Sequence, residues 1–358
     1  MADLAMVQAP VLSVVLPNYN HGHLLPRAVQ ALLKQEVPPD EIIIVDDGSS
    51  DDSRAVIGKL AAAHPTVRPL FNDGNQGAIP TLNRGLDAAR GRYAYLAAAD
   101  DWVLPGFFKR ALEVFALHPS CGLFCGEALL VDGNNNRPTA VRPPVRPTHR
   151  PEFVNAAQAE RLLKNSDHWI LTNSCVFRRE CVVQAGGLDR SFGPFADGIM
   201  ARKIALTHGF FFAPEVVACW AVFTDSYSRR TALNVDQAKY FLDLIPARLA
   251  QDPAFPKWYP PIFANRWRFA TSRLALETTP FNHSLIAAMG VRSPLDHVAL
   301  KTIWALPGQQ LARFATLAWL WWRLRPTSLT GVVRTALAGR MRPFRRGTRI
   351  APAGEISA

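Results

Sequence analysis

Residues 91–105 read GRYAYLAAADDWVLP. The apolar run 93–99 lies between Gly91 and Pro105 and is far shorter than the roughly 20 residues of a membrane span, so it reads as a buried strand. It stops on two adjacent carboxylates, Asp100 and Asp101. Ligands of open α/β sheets gather at the carboxyl ends of strands. Two acids there are placed to hold a divalent cation or the hydroxyls of a ligand. One of them can cap the helix expected after Pro105, but a cap uses a single carboxylate and leaves the other without a role.

Outward from this stretch the same grammar repeats. The run 11–16 ends at Pro17 and reads as a central parallel strand; a helix over 24–34 follows, with Leu25, Val29, Leu32 and Leu33 inward. EIIIV at 41–45 is a second buried strand, and it too ends in paired acids, Asp46 and Asp47, before Gly48, Ser49 and Ser50. A helix to about 63, a short strand at 67–71, the loop NDGNQG at 72–77 and a helix over 79–90 complete the unit. Strands alternating with helices at this spacing predict an α/β fold, a Rossmann-like and mostly parallel sheet flanked by helices. The acids then converge on one edge.

Beyond the second acid pair a helix is expected over 105–118 and a strand over 122–131. Residues 132–152, DGNNNRPTAVRPPVRPTHRPE, lack periodicity and read as an exposed loop. Helices at 156–164 and 179–185 and a strand at 174–177 lead to Asp197, which opens a helix over 198–208. Apolar runs at 210–217 and 219–223 read as sheet. From 226 onward the pattern is helical, at 238–249, 262–277, 294–306, 311–324 and 332–341. Prolines 246, 253, 256, 260 and 261 suggest a boundary, with a sheet-based domain over 1–252 and a helical extension over 253–358.

Composition bounds the rest. With 358 residues, 49% of them hydrophobic, the chain can bury a large core and is neither disordered nor fibrous. Its five cysteines are odd in number and lack a second close pair for zinc, so they read as reduced core thiols of a cytoplasmic protein. No basic lead precedes the run at 11–16, and no secretory signal is expected. The net charge of +11 is concentrated at the end: between His297 and Gly354 stand Lys301 and nine arginines with no acid. That asymmetry calls for an anionic partner, a membrane surface being favoured over nucleic acid. The aromatic stretch 311–324, LARFATLAWLWWRL, and the arginines on to 349 fit peripheral attachment at the inner face of a membrane. A core helix packed on its neighbours fits 311–324 equally well.

Four segments in order, VVLPNYN, IIIVDDGSSDDS, NQGAIPTLNRG and GRYAYLAAADD, resemble the GT-A-fold family 2 inverting glycosyltransferases, a likeness that covers about 11–223. The resemblance implies a nucleotide-sugar donor and a saccharide or lipid-linked acceptor. It implies that Pro17 and Tyr19 line the nucleotide and that Asp47 accepts a hydrogen bond from its base. Asp100 would lie near the ribose or a metal-bound water, Asp101 would ligate Mg²⁺ or Mn²⁺, and Asp197, in FADG, would be the catalytic base. The pattern departs from the family at Leu82, where many relatives carry Arg, at Trp102, and at Ala196, where an acid is common.

The chemistry suits those residue types. Negative charge builds on a departing diphosphate, which a hard divalent ion offsets. A carboxylate on the other face of the sugar takes the proton of the attacking hydroxyl. A nucleotidyltransferase also pairs such a sheet with metal-binding Asp, but PNYNHGH has no Lys or Arg to cradle phosphates. A non-catalytic membrane- or nucleic-acid-binding protein on a degenerate transferase fold is the third reading, and the persistence of all the expected acids counts against it.

Overall fold

The computed structural model describes residues 11–143, 146–167 and 169–326, so the helix expected at 332–341 and the arginines after 326 lie outside the described residues. The chain opens with β1 (Leu12–Asn18), α1 (Leu25–Leu33), β2 (Glu41–Asp46), α2 (Ser53–Ala63), β3 (Val67–Phe71), α3 (Ala78–Ala88) and β4 (Tyr93–Leu96), and β1 pairs in parallel with both β2 and β4. The first two strands are apolar on both faces because both faces are covered. Leu12, Val14 and Leu16 point into one large cluster with Leu25, Val29 and Leu32 of α1, whereas Ile43 and Val45 of β2 face the other side. There α3 lies close against the sheet. A Cβ on Gly85 would stand 2.3 Å from Val15 Cγ1, so only glycine allows that approach.

The sheet continues through β5 (Trp102–Val103), α4 (Phe107–Leu117), β6 (Leu123–Asp132), β7 (Pro138–Arg142), β8 (Glu152–Val154), α5 (Ala156–Asn165), β9 (Cys175–Arg178), α6 (Arg179–Ala185), α7 (Ala196–His208) and β10 (Phe210–Val222). Its strand order is β3-β2-β1-β4-β9-β6-β10-β5, with β7 on β6 and β8 on β10. Strand β9 runs antiparallel to β4 and β6, and β6 is parallel to β10, so the sheet is mixed. The chain winds outward in opposite directions on the two sides of β1, toward β2 and toward β4. This makes the carboxyl ends of β1, β2 and β4 the switch point at which such sheets bind ligands.

Three segments differ from the sequence expectation. The strand at 93–99 ends at Leu96: Ala97 still donates to Val15 O (2.8 Å), but Asp101 N then turns back to Ala98 O, which puts the acid pair on a turn beyond the strand. Residues 132–152 are not a free loop. Asp132 accepts from the amides of Asn134 and Asn135 to close a turn, β7 pairs antiparallel with β6, and Arg146 binds buried Glu127 through two nitrogens at 2.7 and 2.8 Å. An edge strand buries too little to leave a periodic signal, and Pro138 at its start needs no ladder donor. Finally, 210–222 is one strand whose register shifts around Pro214 and Glu215, rather than two.

The described residues divide into two compact units, 11–162 with 167–223, and 163–166 with 224–326. The second holds α8 (Tyr227–Leu233), α9 (Val235–Gln251), α10 (Tyr259–Ala275), α11 (His283–Gly290), α12 (Pro294–Trp304) and α13 (Gln309–Leu324). Its limit falls at Thr224, ahead of the prolines that suggest 253, because α8 and α9 pack on α10 and Pro246 is accommodated inside α9. Asn234, Asn282 and Ser293 cap α9, α11 and α12 with side-chain oxygens. The core of this unit includes Leu242, Leu276, Ile286, Met289 and Leu300, and α13 adds Leu320 and Leu324 to it. Asp296 at the start of α12 receives both Nε (2.9 Å) and Nη2 (3.0 Å) of Arg323 at the end of α13.

Candidate active site at the carboxyl edge of the sheet

The two acids that end β2 do different work. Asp46 is buried and accepts from Asn18 Nδ2 (2.9 Å) and from Ser49 N and Oγ (3.1 and 2.6 Å), which ties the end of β1 to the DGSS turn. Asp47 accepts from Asn72 Nδ2 (2.6 Å) and Gln76 N (2.9 Å) on one oxygen and from Gly77 N (2.8 Å) on the other. Burial works to raise its pKa, but these donors together outweigh burial and hold it below the usual carboxylate value. The two loops cross backbone on backbone: a Cβ on Gly48, at φ +71°, would stand 2.6 Å from Gly74 Cα. Asp47 therefore shapes the loop 72–77, and any contact from a nucleotide base adds to donors already in place. At the end of β1, Pro17 is half-buried and Tyr19 is 44% exposed, a ring offered to the edge.

Asp101 is only 6% exposed. Its Oδ1 accepts from Ala221 N on β10 (2.9 Å) and its Oδ2 from Asn173 Nδ2 (3.1 Å). Burial and the neighbouring Asp100 push it up to about 8, and burial also raises Asp100, the more accessible of the pair. Arg27 of α1 reaches this turn, but its Nη2 donates to the Asp100 carbonyl (2.8 Å) and its guanidinium lies 4.4 Å from the centre of the Trp102 ring. Among the described residues no cationic side chain hydrogen-bonds to either carboxylate, and the upward push means that the pair ionises fully only against a bound cation. An all-oxygen donor set of this kind fits a hard divalent ion. Among the described residues no cluster of three His, Cys, Asp or Glu forms; these residues offer the two carboxylates, and a cation held there would complete its coordination from ligand or water.

Asp197 sits in the first turn of α7, which begins at Ala196 rather than at the expected 198. Its Oδ1 accepts from Gly198 N (2.7 Å) and its Oδ2 from the Thr172 hydroxyl. Thr172 and Asn173 are consecutive in a single 3₁₀ turn, Thr172–Ser174. One turn therefore grips both Asp197 and Asp101. It is itself fixed from two strands: Tyr95 Oη of β4 donates to Asn173 O (3.0 Å), and Ser174 Oγ donates to Gly126 O of β6 (3.0 Å).

The sheet thus gathers Pro17, Tyr19, Asp47, Asp100 and Asp101 at the ends of β1, β2 and β4, and the 3₁₀ turn brings Asp197 to the same edge. Sequence reasoning missed Arg27, Thr172 and Asn173. Arg27 looks like the polar face of an ordinary helix, and TNS before a strand looks like an ordinary turn. A cavity of about 370 Å³, lined by Arg178, Cys181 and His208 among others, lies at the opposite ends of these strands, away from the acids.

Residues 13–181 match the model of glycosyl transferase family 2. An uncharacterized glycosyltransferase of Nostoc sp. is 32% identical over 181 residues, 50% of this chain and 54% of the relative. The GalNAc(5)-diNAcBac-PP-undecaprenol beta-1,3-glucosyltransferase of Campylobacter jejuni is 35% identical over 105 residues, 29% of this chain and 34% of the relative. The chain spans about a third to a half of the length of these relatives. Among solved structures, S. aureus TarS in complex with UDP-GlcNAc aligns with a TM-score of 0.58 at 15% identity, over 87% of this chain and 89% of that one. The mannosyltransferase PcManGT from Pyrobaculum calidifontis, in complex with GDP-Man and Mn²⁺, aligns at 0.54 and 20% identity over 93% and 88%. At such identities the structures speak for the fold. Over residues 13–181 the chain is similar to glycosyl transferase family 2, and its sheet is that of the GT-A fold.

Proposed function

We propose that the chain is a metal-dependent inverting glycosyltransferase that moves a sugar from a nucleotide diphosphate donor to a saccharide or lipid-linked saccharide. The observation that carries this reading is the Thr172–Ser174 turn, whose consecutive side chains hold the buried acid of the Asp100/Asp101 pair and the acid of α7. Tyr19 and Pro17 offer a surface for the base and ribose, and Asp47 holds the 72–77 loop beside them. Asp100 and Asp101 would hold Mg²⁺ or Mn²⁺, which when bound stabilises the charge of a departing diphosphate, typically by several kcal/mol. The acceptor hydroxyl attacks the anomeric carbon as the carbon–oxygen bond to the diphosphate breaks, and its proton passes to a carboxylate oxygen of Asp197. Attack opposite the leaving group inverts the anomeric centre. Thr172 and the Gly198 amide orient that carboxylate before the acceptor arrives.

The neighbours that hold UDP-GlcNAc and GDP-Man with Mn²⁺ support a nucleotide-sugar donor, and the Campylobacter relative, whose name carries an undecaprenol diphosphate, supports a lipid-linked acceptor. Five buried, unpaired cysteines support a reducing, cytoplasmic setting. The test is a panel of nucleotide sugars incubated with Mn²⁺ and the protein. Release of free nucleoside diphosphate supports the transferase, release of pyrophosphate replaces it with nucleotidyl transfer, and release of neither leaves a binding protein.

A further inference from the structure

Helix α13 is apolar nearly all round, and it settles only one flank in the core. Ala312, Thr316, Leu320 and Leu324, spaced four apart, face inward. On the opposite flank Leu311, Phe314, Ala318 and Trp322 repeat at three and four residues and all face solvent, Phe314 at 72% and Trp322 at 62% exposure. The neighbouring helix α12 does the same, with Asp296 and Leu300 inward and Leu295 (79%) and Val298 (63%) outward. Isolated exposed apolar residues mean little, but a continuous stripe of this kind marks an interaction surface.

The charges around the stripe decide its partner. Lys301 and Arg325 are exposed and Arg313 is half-buried, while Asp296, the one acid of the two helices, is buried and taken up by Arg323. Six more arginines follow between residues 334 and 349 without an acid. A second copy would bring cation against cation, which disfavours self-association. A phosphate backbone would leave Phe314 and Trp322 without a partner. A surface that offers both hydrocarbon and negative charge satisfies both halves of the pattern.

We infer that the outer flank of α13, with α12 beside it, lies in the headgroup region of an anionic lipid bilayer, the aromatic side chains entering the acyl boundary and Lys301, Arg313 and Arg325 staying with the lipid phosphates. The helix, at about 1.5 Å per residue, is about 24 Å long and lies on the surface. No helix among the described residues is long and apolar enough to cross.

The test is flotation of the full chain with vesicles of phosphatidylglycerol and phosphatidylcholine in equal parts, against vesicles of phosphatidylcholine alone. The chain floats with the anionic vesicles. The double variant Phe314→Ser with Trp322→Ser binds them at least about tenfold more weakly, because two aromatic rings no longer leave water for the acyl boundary, and its melting temperature matches that of the parent. Three results overturn the inference: no flotation of the parent chain, equal binding by the variant, which assigns attachment to the arginines alone, or a clear fall in melting temperature, which means that protein, such as residues 327–358, covers the stripe. Vesicle binding is read without donor or acceptor, so it stands apart from the transfer chemistry.

Discussion

Under the proposed mechanism, replacing Asp197 by Asn removes the base while leaving its surroundings nearly unchanged. The amide oxygen still accepts from Gly198 N, and the Thr172 hydroxyl, which now donates to Asp197, can instead accept from the new NH₂. The folding cost is therefore that of one altered hydrogen bond, about 1 kcal/mol. The catalytic cost is larger: general-base assistance contributes about 10²- to 10⁴-fold, or about 3–5 kcal/mol on the barrier. Initial rates of nucleoside diphosphate release at saturating acceptor should fall by that factor. Donor affinity, measured by calorimetry with Mn²⁺, should change less than about twofold, because the proposed donor site lies at the ends of β1, β2 and β4. A rate within tenfold of the parent refutes the assignment, and parallel loss of donor affinity would make Asp197 a structural acid. Thr172→Val, which keeps the carboxylate and deletes its hydroxyl donor, should lower the rate by about tenfold.

Asp101→Asn keeps an acceptor for Ala221 N and should abolish the Mn²⁺-dependent part of donor binding; calorimetry with and without Mn²⁺ that shows equal metal dependence in variant and parent rejects Asp101 as a ligand. Gly48→Ala pushes a Cβ onto Gly74 Cα from a left-handed backbone and should cost about 2–4 kcal/mol in urea unfolding. Unchanged stability would mean that the two loops part easily. Asp296, hydrogen-bonded to Arg323, lies at about 2 against an ordinary 3.8. Its folded value is depressed, so its contribution, at most about 2 kcal/mol, is present above pH 4 and disappears as pH falls through 2. The gap in melting temperature between the parent and Asp296→Asn should be full at neutral pH and shrink between pH 4 and 2. A constant gap would show that the ion pair is not its source.

What the sequence disclosed follows from distance along the chain. Strands β1, β2 and β4 announce themselves because a strand buried on both faces is a nearly continuous apolar run, and the acid pairs after β2 and β4 are local to that signal. The partners of those acids are not local: Asn173 lies 72 residues and Ala221 120 residues from Asp101. No periodicity reports which asparagine will meet which carboxylate. Strand β7 was hidden for a different reason, since an edge strand exposed over Pro138, Thr139 and Ala140 satisfies a ladder without building a core. The half-and-half burial of α13 was also illegible, because a helix apolar all round gives no clue to which flank meets protein.

The Thr172–Asn173 pair has a consequence for how such an enzyme can diversify. Neighbouring Cα atoms are about 3.8 Å apart whatever the rest of the chain does, so under the proposed mechanism a covalent ruler, not a loop conformation, sets the gap between leaving group and nucleophile. The hairpin of β6 and β7 can then be exchanged for another without moving either acid, and the chemistry stays in register.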